Sequence, residues 1–334
     1  MPGNDATETR LSELDLDPAV HTWLARETEL RSSLPDLTAP DPAVQRAAAR
    51  RLSDRLAVTF TAEAPAGVAI ADAWLPATGG AGLRVRCYRP DGISDPAPAQ
   101  LFLHGGGFVH GSPDELVNDR LLAARALAAG LVIFSLDYRL APEHPYPAAL
   151  SDAVAAWLEL TEAADRLRID PTRIGVGGSS AGGTLAAGTT LALRDRHGLV
   201  PAHQALEVPA AAFRPYGRSG ELYGDEFGAA AAHAVVPLYL PGGTGRYAEP
   251  LDVPDLTGLP PTLIMTAEHD FLRDGAEEYG ARLAAAGADV CVLRGAGHLH
   301  GTPALTATMA GAREWQENCA AALRDAYHTE RSPR

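Results

Sequence analysis

The 334-residue chain is 46% hydrophobic and 21% charged, enough apolar material for one large domain, with or without a smaller accessory piece, around a sizeable core. Its formal net charge of −14 opposes binding to nucleic-acid phosphates and to anionic membrane faces. All 28 Lys+Arg residues are arginine, which removes Schiff-base, pyridoxal-anchoring and Walker-type phosphate chemistry, because each needs an ε-amine.

In chain order, the first thirty residues are polar and acidic and carry no apolar signal-peptide region. No later run is long enough to cross a bilayer, so a cytoplasmic protein is expected. "DPAVHTWLARETELRSSL" and "DPAVQRAAARRLSDRLA" follow, two amphipathic helices each opened by an Asp-Pro pair suited to an N-cap and first turn. From Val68 the texture changes to "GVAIADAWLP" and "GLRVRCYRP", a hairpin-like antiparallel pair around "ATGGAG". The apolar runs "AQLFLHGGG", "LVIFSLDY", "RIGVGGS", "HQALEVPA", "PTLIMTAE" and "DVCVLRG" then have strand length. Helical patterns such as "LVNDRLLAARALAAG" and "LSDAVAAWLELTEAADRL" stand between most of them. This alternation predicts an α/β fold with a mostly parallel sheet and helices on both faces. Phe213 to Gly245 breaks the rhythm and reads as an irregular inserted segment. Cys87, Cys291 and Cys319 are odd in number, far apart and in no C-x-x-C pair, which predicts reduced core thiols rather than disulfides or a zinc site.

The glycine-rich run Ile174 to Gly188, "IGVGGSSAGGTLAAG", lies where a β-run meets a helix-forming run. It has no lysine and the wrong glycine spacing for a phosphate cradle, and its flanks argue against a floppy linker. The alternatives left are a plain glycine-rich turn and a G-x-S-x-G turn that lifts a serine clear of the sheet edge. Only Ser180 fits that frame, with Gly178 and Gly182 two residues to either side; Ser179 would have Gly177 and Ala181. A serine hydroxyl becomes a nucleophile only when a base takes its proton, so a histidine, an orienting carboxylate and oxyanion donors should sit at other strand ends. His104 and Gly105 to Gly107 follow one strand, Asp270 follows another, and His298 and His300 follow the last. The order Ser, Asp, His is that of the α/β-hydrolase arrangement.

The set "HGGGF", "DYRLAPEHPYPAAL", "GSSAGG", "AEHDFLRD" and "HG" resembles the hormone-sensitive-lipase family of carboxylesterases, from Val68 to the C-terminus and in the order that family uses. The resemblance implies an α/β-hydrolase sheet, hydrolysis of small to medium carboxylic esters, and no metal or organic cofactor. It implies that Ser180 is the nucleophile, His300 the base and Asp270 the residue that holds the imidazole. The N–H groups of Gly106, Gly107 and Ala181 would form the oxyanion hole. His104 would brace its loop, Arg139, Glu143 and His144 would form an ion-pair network, and Asp274 would open the helix after Asp270. Glu268 stands before the turn where the family places its aspartate.

The expected organisation is a helical cap segment over residues 1–66 and a catalytic domain over 67–334, with a second cap segment inserted at about 213–245. Trp23, Phe108, Phe213, Tyr216 and His298 are then candidate pocket residues, with Leu24, Tyr223 and Phe227 as further cap wall. The chain departs from the family pattern in having Ser179 where an acidic residue commonly precedes the nucleophile, and Gly301-Thr302 where Gly-Phe commonly follows the histidine. Two other functions on the same scaffold stay open, a lyase or dehydratase and a non-catalytic small-molecule receptor. Serine at 180 and histidine at 300 favour the esterase. The partner is a small-molecule ester; the oligomeric state stays open, a homodimer included.

Overall fold

Both Asp-Pro pairs cap helices. Asp17 Oδ1 accepts the Ala19 N–H at 2.8 Å and starts α1 (Pro18–Ser32), and Asp41 Oδ1 accepts the Ala43 N–H at 2.8 Å and starts α2 (Pro42–Phe60). Proline at the first helical position loses nothing, since that N–H has no helical partner anyway. The computed structural model describes residues 14–76, 82–223 and 229–328. Among these, no helix is long and apolar enough to cross a membrane.

The hairpin-like pair is β1 (Val68–Leu75) and β2 (Leu83–Pro90), antiparallel with Ile70 opposite Tyr88; most of its turn, 77–81, lies outside the described residues. The remaining strands are β3 (Ala97–Leu103), β4 (Val132–Leu136), β5 (Ile169–Ser179), β6 (Gln204–Glu207), β7 (Thr262–His269) and β8 (Val290–Leu299). They form one eight-stranded sheet in the order β1-β2-β4-β3-β5-β6-β7-β8, antiparallel at β1/β2 and β2/β4 and parallel beyond. Parallel neighbours need long crossovers. Here these include α3 (Leu116–Ala129), α4 (Ala148–Glu162), the short α5 (Ala164–Leu167), α6 (Ala181–His197) and α9 (Arg273–Ala285), and α10 (Ala310–His328) follows β8.

The central strands read as unbroken apolar runs because both faces are covered. Leu101, Leu103, Val132, Phe134 and Leu136 pack on one side with Leu150, Trp157, Leu185 and Leu191. Phe102 and Ile133, one residue out of phase, pack on the other with Leu122, Ala126, Trp315 and Leu323. Each large side chain so buried contributes roughly 1.5–3 kcal/mol. The result is a rigid frame in which the parallel strands β3 to β8 all open their C-terminal ends on the same edge.

The N-terminal helices lie against the loops at that edge. Leu16, Val20 and Phe60 share a buried cluster with Leu299, Leu305, Met309 and Ala312, around the end of β8. The Arg46 guanidinium donates to the Val109 and Ala141 carbonyls, both at 2.8 Å, and pairs with Glu143. Arg120 reaches back from α3 to the carbonyls of Ala57 and Thr61.

Three local expectations differ from the structure. The segment 213–245 is not irregular: it holds α7 (Gly217–Tyr223) and α8 (Ala229–Tyr239), the second built on an alanine run of high helix propensity. Phe227 lies outside the described residues. Cys319 is buried, but Cys87 is only half-buried and Cys291 is exposed, because β8 is an edge strand with one uncovered side. Arg139 and Glu143 do not pair with each other; Arg139 turns onto the buried Asp152 of α4 at 2.7 Å, and Glu143 meets Arg46 from the N-terminal segment.

Candidate active site

Strand β5 ends at Ser179, helix α6 begins at Ala181, and Ser180 alone makes the turn, at φ 55° and ψ −121°. A non-glycine residue held there costs on the order of 1–3 kcal/mol and persists only where its surroundings enforce it. The flanking glycines allow it. A Cβ at Gly178 would stand 2.3 Å from the Gly182 carbonyl oxygen, and one at Gly182 would stand 1.9 Å from the Leu103 carbonyl oxygen. The Ser180 N–H donates to the Glu207 carbonyl on β6 at 2.8 Å, tying the turn to the next strand.

Two strand ends bring partners to the serine. His300 Nε2 lies 2.8 Å from Ser180 Oγ, and His300 Nδ1 lies 2.7 Å from Asp270 Oδ2. Asp270 is 1% exposed, and its Oδ1 accepts the Leu272 N–H at 3.0 Å, which fixes the carboxylate. With Nδ1–H donated to Asp270, Nε2 is free to take the serine proton. Desolvation disfavours the imidazolium, but the charge and hydrogen bond of Asp270 outweigh it and hold the His300 pKa above its ordinary value of 6.5.

Strand β3 brings the glycine run to the same place. His104 is buried, its Nδ1 2.7 Å from the Gly105 carbonyl and its ring stacked on Tyr138 at 4.2 Å, while the Tyr138 hydroxyl donates to the His104 carbonyl at 2.7 Å. Burial pushes the His104 pKa down to about 4, so the ring is neutral and braces the loop. Gly106 sits at φ 120° and Gly107 at φ 61°, and a Cβ at Gly106 would meet the His110 carbonyl oxygen at 2.2 Å. Among the described residues, the N–H groups of Gly106, Gly107 and Ala181 donate to no other backbone or side-chain group. Ala181 opens α6, where such unspent donors are normal and favour negative charge.

Two cavities meet at Ser180, Gly107, Val235 and His300. The smaller, about 140 Å³, is mainly apolar, with Phe108, Phe213, Val236 and Phe271 among its walls. The larger, about 530 Å³, reaches Arg31 of α1 and carries Glu115, Asn118, Ser179, Glu207 and Gln316 among apolar residues.

The structure thus brings Ser180, Asp270, His300, Gly106, Gly107 and Ala181 together, with Phe108 and Phe213 beside them. Trp23, Tyr216 and His298 line neither cavity. The Trp23 ring packs on Gly301, within 3.1 Å of where a Cβ would be; Tyr216 lies against Gly275; and His298 is turned away from Ser180, with Nδ1 2.8 Å from Thr302 Oγ1. Tyr223 hydrogen-bonds His269 at 3.0 Å. Glu268 accepts the Gly297 N–H, and Asp274 stands in the first turn of α9, accepting the Ser219 N–H. Sequence reasoning missed Val235, Val236, Phe271 and Glu207. Phe271 was signalled by adjacency to Asp270, and Glu207 by being an acid at a strand C-terminal end.

Residues 100–304 match the family model of the alpha/beta hydrolase fold. The chain is 35% identical over 261 residues to carboxylesterase NlhH of Mycobacterium tuberculosis, covering 73% of this chain and 78% of that one. An ester hydrolase from the metagenome of Lake Arreo is 31% identical, with a TM-score of 0.84 over 94% of this chain and all of that one. Esterase LipW of Mycobacterium marinum is 34% identical, with a TM-score of 0.80 over 94% and 96%.

Proposed function

For this chain, which belongs to the alpha/beta hydrolase family of the hormone-sensitive-lipase type and is a carboxylic ester hydrolase, we propose that small to medium esters are cleaved through an acyl-enzyme on Ser180. The carrying observation is the hydrogen-bonded chain Ser180 Oγ, His300, Asp270 at the meeting of two cavities. His300 removes the Ser180 proton as Oγ attacks the carbonyl carbon. The oxyanion is held by the N–H groups of Gly106, Gly107 and Ala181. His300 then gives the proton to the leaving alkoxide, and water, activated by the same ring, releases the acid.

The N-terminal segment to residue 66 and the helices of 213–245 act as the cap. The unequal cavities favour an ester with one compact apolar arm and one larger arm. On a series of p-nitrophenyl esters, kcat/KM should be highest for short acyl chains and fall with length. Phe213→Ala, which removes a phenyl ring from the wall of the smaller cavity, should raise the long-to-short ratio by about tenfold or more, since a single methylene in an apolar pocket is already worth about that. An unchanged profile would remove Phe213 from the specificity wall.

The acid limb of activity has a definite sign. Only neutral His300 can accept the serine proton, and Asp270 holds its pKa above 6.5, so kcat/KM should fall as pH drops, with a midpoint above 6.5. A pH profile of kcat/KM with its midpoint below that value would contradict the Asp270–His300 coupling.

A further inference from the structure

The reaction above leaves unused a buried ion pair that sits beside the Ser180 turn. Glu207, at the end of β6, is 5% exposed, and its carboxylate takes Arg125 Nη1 at 2.6 Å, Arg125 Nη2 at 3.0 Å and Trp315 Nε1–H at 3.0 Å. Arg125, from α3, is 4% exposed. A buried ion pair is commonly no more stabilising than apolar residues of the same volume, so fold stability alone does not account for it.

Its connections do. In the β5/β6 register Glu207 stands opposite Ser179, and its carbonyl accepts the Ser180 N–H at 2.8 Å. Two arms leave the ion pair for the loop that carries His300. In the first, Trp315 packs against the His298 ring at 5.3 Å, His298 Nδ1 lies 2.8 Å from Thr302 Oγ1, and that hydroxyl accepts the Leu299 N–H at 3.0 Å. In the second, Arg125 Nη2 donates to Gln316 Oε1 at 2.7 Å, and Gln316 Nε2 donates to the Pro303 carbonyl at 3.0 Å. The two arms therefore hold the backbone on both sides of His300. Gly295 makes room for the first: a Cβ there would stand 2.7 Å from the His298 ring and 2.8 Å from the Trp315 ring.

Two of the departures from the family pattern fall at the two ends of this network. Ser179, which replaces the usual acid, is the register partner of Glu207, so the acidic side chain lies one strand over. Thr302, which replaces the usual phenylalanine, is the hydroxyl that receives the first arm. We propose that Glu207, through Arg125, Trp315 and Gln316, is a positioning residue that holds the Ser180 turn and the His300 loop in mutual register. The inference rests on the Ser180–His300 reading.

The test uses the full chain and two variants. Glu207→Gln removes the charge that Arg125 meets; Trp315→Phe keeps the ion pair and removes only the first arm, so it reports even where Glu207→Gln fails to fold. Each should lower kcat on a short-chain p-nitrophenyl ester by about tenfold, because sub-ångström misplacement of the base costs the chemical step. The far-downfield proton resonance of His300 Nδ1–H should broaden or move upfield in both. Folded variants with the wild-type kcat, or with a lower melting temperature but an unmoved His300 resonance, would make Glu207 a core ion pair only and overturn the proposal. Wild-type turnover with no fluorophosphonate label on Ser180 would instead remove the underlying triad reading, and is scored separately.

Discussion

His300→Ala is expected to lower kcat by about 10³-fold or more, while His298→Ala loses far less. His298 is the penultimate residue of β8 and His300 the first beyond it, but only His300 reaches Ser180 Oγ, at 2.8 Å, and Asp270, at 2.7 Å. His298 faces Trp315 and Thr302 on the other side of the strand end. Asp270→Asn should also fall by about 10³- to 10⁴-fold, because an amide no longer selects the tautomer with Nε2 free. Steady-state kinetics on one activated ester, with circular dichroism to verify folding, checks all three. Collapse in His298→Ala with an intact rate in His300→Ala would reverse the assignment.

The second large effect is at the turn itself. Ser180→Ala should lower kcat by about 10³-fold or more and leave KM and folding nearly unchanged, since it removes one hydroxyl oxygen from the attack and no packing contact of size. Ser179→Ala should stay within about tenfold of wild type, since Ser179 faces the larger cavity and makes no hydrogen bond to His300. Residual turnover in Ser180→Ala at the wild-type level would mean that another group carries the reaction.

The parts legible in the sequence are those set by local chemistry. Asp17-Pro18 and Asp41-Pro42 specify helix starts because capping needs only neighbouring residues. The strands β3 to β7 announce themselves because strands covered on both faces are mostly apolar. Gly178 and Gly182 mark Ser180 because the turn has no room for a Cβ at either place. What stayed hidden depends on register and on faces meeting far along the chain. Trp23 lies on an amphipathic helix, and its pattern says that a face is buried but not that Gly301 covers it. Glu207 is 82 residues from Arg125 and 108 from Trp315, so its pairing follows only once β5, β6 and the two helices are placed. Cys291 could be seen as exposed only when β8 was known to be an edge. The α7–α8 segment was obscured by glycine and aromatic residues that disturb a helical pattern without preventing short helices.

The proposed mechanism has Ser180, activated by His300, carry the acyl group. Its most direct test is covalent labelling with a fluorophosphonate, followed by peptide mass spectrometry, on the wild type, Ser179→Ala, Ser180→Ala and His300→Ala. One label per chain is expected on the peptide containing Ser180 in the wild type and in Ser179→Ala, none in Ser180→Ala, and a labelling rate lower by orders of magnitude in His300→Ala. A label on Ser179, or undiminished labelling of His300→Ala, would contradict it.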